Sequence, residues 1–90
     1  MAFSETQLEA PCAELGPESN AEDLYRMGLV YSTGMGVPTD YVKAHQWFNL
    51  AALRGYAEAK QSRKDLAEYM SSDEIAEAQK NAREWLKLAN

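Results

Sequence analysis

From Ser19 onward the apolar residues of this chain recur three and four positions apart. Leu24, Met27, Gly28 and Tyr31 fall at i, i+3, i+4 and i+7, one face of an α-helix. Ser19-x-x-Glu22 ahead of them is a capping box, in which each side chain satisfies an orphan backbone N–H. Gly34, Gly36 and Pro38 stop this first helix. Thr39 or Asp40 caps a second one, whose inner face is Ala44, Trp47, Phe48, Ala51 and Ala52, and Gly55 closes it. Alanines among aromatics let a neighbouring helix approach closely while the rings fill the space beside the contact. A third helix is predicted from about Tyr56 to Tyr69, with a weaker stripe of Ala59, Ser62, Leu66, Ala67 and Met70. Ser71-x-x-Glu74 is a second capping box, and Ile75, Ala78, Ala82, Trp85, Leu86 and Ala89 form the fourth stripe. No segment alternates with the period of a strand. The short connections make consecutive helices antiparallel neighbours, so the expected fold is all-α, two antiparallel helical hairpins stacked as a short α/α solenoid.

Residues 1–18 carry no sustained period and are broken by Pro11, Gly16 and Pro17. Ser4-x-x-Gln7 can cap one short helical turn there, and the segment is otherwise read as an acidic arm. The expected division is thus an arm over 1–18 and a helical domain over 19–90. Within that domain Ala21-Glu22 recurs as Ala57-Glu58, 36 positions on, and Ala44-x-x-Trp47 recurs as Ala82-x-x-Trp85, 38 positions on. A period of this size with two helices per unit is the mark of a helical repeat.

The residues that recur also resemble a known family. Met27-Gly28-x-x-Tyr31-x-x-Gly34-x-Gly36-Val37-x-x-Asp40-x-x-Lys43-Ala44-x-x-Trp47-x-x-x-Ala51-Ala52-x-x-Gly55 resembles the Sel-one-like repeat, a relative of the tetratricopeptide repeat. The full repeat covers residues 19–55, and 56–90 resemble a degenerate closing repeat. In that second unit Arg63-Lys64 stand where Leu-Gly is usual, and the Gly-x-Gly-Val loop is missing. The resemblance implies tetratricopeptide-like helix pairs with a concave face, used as adaptors for protein complexes. The repeated residue types have a physical reading of their own. A methyl group at Gly28 would hold the second helix away, while Gly34 and Gly36 permit backbone angles that other residues resist. Val37, before Pro38, is pushed to an extended conformation that turns the chain back. Asp40 suits the positive end of the second helix.

Charge alters this picture only locally. The net charge is −5, yet Glu5, Glu9, Glu14, Glu18, Glu22 and Asp23 all precede the first basic residue, Arg26. No basic stripe follows, so nucleic acid is not an expected partner. No apolar run approaches a membrane span, since the longest uncharged stretch, Met27 to Thr39, holds three glycines and a proline. The start, Met1-Ala-Phe-Ser-Glu-Thr-Gln, lacks a basic head followed by an apolar run, so a cytoplasmic chain is expected unless a leader has been removed. The single cysteine, Cys12, has no internal disulfide partner.

Catalysis needs convergent polar groups, and the chain offers few. His45, the only histidine, sits one position off the inner stripe and is expected to be a partly solvated face residue. Cys12 lies apart from it on the arm. Asp73, Glu74 and Glu77 crowd a helix start, which the helix dipole explains without a metal. Gly34-Met-Gly36 is not followed by Gly-Lys-Ser/Thr and is no phosphate loop. No catalytic residue, metal ligand or cofactor is therefore assigned, and an enzyme is not expected.

An interaction module is the expectation that remains. Glu22, Tyr25, Leu29 and Ser32 share a face of the first helix distinct from its inner stripe. The equivalent positions 36 residues on are Glu58, Gln61, Asp65 and Glu68. Stacked as in tetratricopeptide-like repeats, these residues line a concave groove, apolar at one end and acidic at the other, suited to a protein or peptide partner. The alternative is that the arm folds back over Tyr25 and Leu29. Self-association into a homodimer is a further alternative. Two repeats are fewer than a solenoid usually needs, and Leu88 falls off the main stripe of the last helix.

Overall fold

In the computed structural model, which describes residues 20–89 (Ala89 by its backbone alone), helix α1 begins one residue later than the first capping box implies. The N-cap is Asn20, whose Oδ1 accepts the Asp23 N–H at 2.9 Å. Ser19 lies outside the described residues, as do the arm, its Ser4-x-x-Gln7 cap and Cys12. Glu22, freed of a capping role, accepts from the Arg26 guanidinium at 3.1 Å.

Helix α1 (Ala21–Thr33) ends at Gly34, where φ is +74° and the N–H reaches the Val30 carbonyl at 2.9 Å. A side chain there would strain the left-handed backbone and collide with the Thr39 hydroxyl. The loop closes when the Asp40 N–H donates to the Tyr31 carbonyl at 2.9 Å, returning the chain beside α1. Asp40 is the cap of α2 (Tyr41–Leu53), its Oδ1 accepting the Lys43 N–H at 3.1 Å. Helix α3 (Ala57–Ala67) has Tyr56 at its N-cap, with no side-chain bond there, and is shorter than its stripe predicts. Helix α4 (Ser72–Ala89) starts from a reciprocal box. The Ser71 N–H donates to Glu74 Oε1 at 2.8 Å, and the Glu74 N–H donates to Ser71 Oγ at 3.1 Å. The described residues are all-helical, with no strand among them.

Helix α2 packs against α1, α3 and α4, and these are the main contacts between helices. Its position explains the core. Leu24 and Met27 of α1, Trp47, Leu50 and Ala51 of α2, Ala59 of α3 and Ala82 of α4 form one buried cluster. Ala44, Phe48 and Leu66 form a second. The two tryptophans of the repeated Ala-x-x-Trp meet edge to face, ring centroids 5.8 Å apart, so the repeat in sequence becomes a contact in space. At Gly28 α1 has no room for a side chain against α2. A Cβ there would collide with one edge of the Phe48 ring.

His45 departs from the sequence expectation. It is 2% exposed, not partly solvated, and its Nδ1 has no hydrogen-bond partner. The reason is that α2 is enclosed on more than one side, so the buried set extends beyond the single stripe to His45 and Leu50. Burial, reinforced by the Arg63 guanidinium, holds the imidazole below its ordinary pKa of 6.5.

Two outcomes follow for stability. Gly28→Ala raises helix propensity by about 1 kcal/mol, but the added methyl meets Phe48, an overpacking that costs about 1–3 kcal/mol. A lower midpoint in urea, recovered in part by adding Phe48→Leu, is the expected result. His45 adds a pH dependence of definite sign. The folded state binds its proton less readily than the unfolded state, so stability is complete above the unfolded pKa and declines as pH falls below it. Thermal midpoints should drop between about pH 7.5 and about pH 5, a window above most carboxylate titration, and His45→Gln should flatten that slope.

Candidate functional site

The seam between α1 and α3 collects most of the residues that the sequence assigns to a partner, but gives them different tasks. Tyr25 is half-buried, not a free anchor. Its ring lies 5.4 Å from that of Phe48 and 4.8 Å from that of Tyr56, and its hydroxyl shares a 3.1 Å hydrogen bond with Ser62. Tyr25 therefore joins α1 to α3. Its position four residues ahead of Leu29 and off the inner stripe suggested exposure, because nothing local in the sequence shows that α3 covers it.

At one end of this seam lie carboxylates. Burial first, then the negative charges of Glu58 and Glu22, push the Tyr56 phenol up from its usual pKa of 10.0. Both carboxylates are exposed, and Glu22 is engaged with Arg26. At the other end the seam opens into a groove of about 260 Å³. Phe48 and Leu66 make its buried floor, with Ser62 beside them. Leu29 and Ser32 of α1 and Asp65 of α3 stand on its walls. The Ser32 hydroxyl is turned inward, donating to the Leu29 carbonyl at 3.1 Å. Asp65 accepts from the Gln61 amide at 2.8 Å, which fixes both side chains on the exposed edge of α3. Glu68 is exposed but does not line the groove.

Two groove residues were missed. Tyr41, at the start of α2, and Tyr69, just past the end of α3, both line it. Tyr69 is 77% exposed, more than Leu29 or Tyr41, each at 38%. Tyr69 stands four positions after Asp65, so the helical period that selected Asp65 also reaches it. Tyr41 carries no such signal, since it enters the groove from a different helix.

A second cleft, of about 570 Å³, lies on the other flank of α3, against α2 and α4. Lys60, Arg63 and Lys64 line it with His45. Arg63 also reaches back to α2 and donates to the Asn49 amide oxygen, which ties the two helices together. No helix among the described residues is long and apolar enough to cross a membrane.

The architecture agrees with comparison to known proteins. No curated protein and no solved structure matches the chain. The family model for the Sel1 repeat matches residues 21–56 and again residues 65–90. The first match takes in α1, its glycine loop and α2, and the second begins late in α3 and runs through α4. With the larger part of its length matched and its helices paired as the repeat requires, the chain belongs to the Sel1 repeat family.

Proposed function

We propose that this chain is a protein-binding module whose groove between α1 and α3 receives a segment of a protein partner. Sel1 repeats generally mediate protein–protein interaction and are not enzymes. The observation that carries the assignment to this groove is its rim. Leu29, Tyr41 and Tyr69 are exposed apolar side chains drawn from both hairpins, and they converge on one opening above Phe48 and Leu66. Aromatic side chains at such a rim bury much area at little entropic cost, and they anchor contacts of this kind. Asp65 at the groove, with Glu58 and Glu68 along the same helix, favours a partner segment bearing Lys or Arg.

The alternative reading, self-association, is supported by Leu53 at 63% and Leu88 at 87% exposure, late in α2 and α4. Large apolar side chains left open at the close of both hairpins suit a second copy. Light scattering over a concentration series separates the two readings. A monomer throughout rejects the dimer, whereas a dimer that Leu53→Asp with Leu88→Asp dissociates supports it.

For the groove itself, Leu29→Ala with Tyr69→Ala leaves the helical spectrum intact, because both residues stand at the surface. It reduces partner affinity by more than about tenfold, as loss of two interface anchors does. The interaction also weakens as salt rises from about 50 to about 300 mM, where charges are screened. A folded double variant that holds the same partner with unchanged affinity moves the site elsewhere. Tyr25→Ala is a poorer test, since it also removes the link to Ser62.

A further inference from the structure

The flank of α3 that faces away from the first groove has a different chemistry. Lys60, Arg63 and Lys64 project into the cleft that α3 forms with α2 and α4, joined there by Gln79, and no carboxylate lines it among the described residues. Lys60 and Lys64 are exposed, one helical turn apart, and neither has an acidic partner among the described residues. His45 also lines the cleft. It is 2% exposed, and its Nδ1 is left without a partner. A buried polar atom with no partner is costly and uncommon, and here it lies beside three cations in a chain whose net charge is −5. Burial first, then the Arg63 charge, lowers the pKa of this ring, so it disfavours a fourth positive charge behind the three cations.

The position in the repeat is informative as well. The cations fall in residues 57–64, between the two stretches that match the Sel1 repeat. The matched repeat therefore does not account for them, and together in one cleft they repel, at a cost that an anion would remove.

We propose that this cleft is a second binding site, for a carboxylate-rich peptide segment of a protein partner. Lys60 and Lys64 would hold successive carboxylates, with Arg63 donating from the inner wall and the buried His45 ring packed behind them. A cleft of about 570 Å³ exceeds what one small oxyanion fills, and cations spaced over a turn of helix match several charges on an extended segment. The proposal is independent of the first groove, which lies on the opposite flank of α3.

The test is fluorescence anisotropy of end-capped, labelled hexaglutamate against hexaglutamine, using the full chain. Because the protein is itself acidic, diffuse attraction cannot favour the glutamate peptide. Binding of hexaglutamate at least about tenfold tighter than hexaglutamine is expected. Lys60→Gln with Lys64→Gln, both at the surface, should abolish that preference. Lys80→Gln with Lys87→Gln removes the same charge from exposed positions on α4 that do not line the cleft, and should change affinity by less than about twofold. The His45 ring resonances should shift as the peptide is added. Equal losses in the two lysine pairs, an unmoved His45 signal, or no preference for glutamate would each overturn the proposal. So would full displacement of the peptide by inorganic phosphate at matched charge, which would make this a site for free oxyanions.

Discussion

The arrangement of all four helices depends on how closely α1 lies against α2 at Gly28. The absence of a side chain there lets the Phe48 ring occupy the space a Cβ would take. With α1 seated, Leu24 and Met27 reach Trp47, Leu50 and Ala51, and the Tyr25 ring comes over Phe48 and Tyr56. A larger residue at this one point would lift α1 and open both clusters together. Protein interiors are packed too densely to absorb such a shift locally. The glycine loop serves the same contact from outside the core. The Gly34 turn and the Asp40–Tyr31 backbone bond set where α2 begins relative to α1, and so which α2 residue faces Gly28.

Because α2 is the shared partner of the other three helices, a short chain builds both of its core clusters on a single buried helix. The cost falls on α3. It buries only Ala59 and Leu66, and side chains in polar contact supply much of its attachment: Tyr25 to Ser62 on one flank, Arg63 to Asn49 on the other. Few buried apolar contacts mean that a segment opens locally at less cost than the rest of the fold. Both candidate binding clefts lie along this helix, so a lightly buried element borders each surface where a ligand would have something to gain by fixing it.

Much of this was legible before the structure. The Ser71–Glu74 box, the Asp40 cap, the glycine turns and the Ala-x-x-Trp repeat are local or periodic signals, and each one corresponds to a feature of the fold. The reading failed where a residue's environment is set by a helix remote in sequence. His45 sits off a stripe that assumes one buried face, yet α2 is covered on more than one. Tyr25 sits off the α1 stripe and is covered by α3. Asn20 displaced Ser19 as the cap because both are good N-caps and the sequence supplies no phase to choose between them. Tyr41 and Tyr69 join Leu29 only through folding, and no spacing along the chain links all three.

The charges of α3 were read as one acidic face, and that reading was incomplete in an instructive way. Asp65 borders one cleft, with Glu58 and Glu68 exposed along the same helix, while Lys60, Arg63 and Lys64 border the other. A helix whose two flanks carry opposite charge is nearly neutral in composition, so counting charges along it shows nothing. Only the 3.6-residue period separates the two sets, and only the packing of α1 on one flank and α4 on the other turns them into distinct sites. The residues shared with the repeat account for how the helices pack. Lys60 and Lys64, which lie between the two matched stretches, are exposed, where they alter what the module attracts without altering how it folds. On this argument, differences in ligand between proteins built on the same repeat should be sought on the flanks of α3.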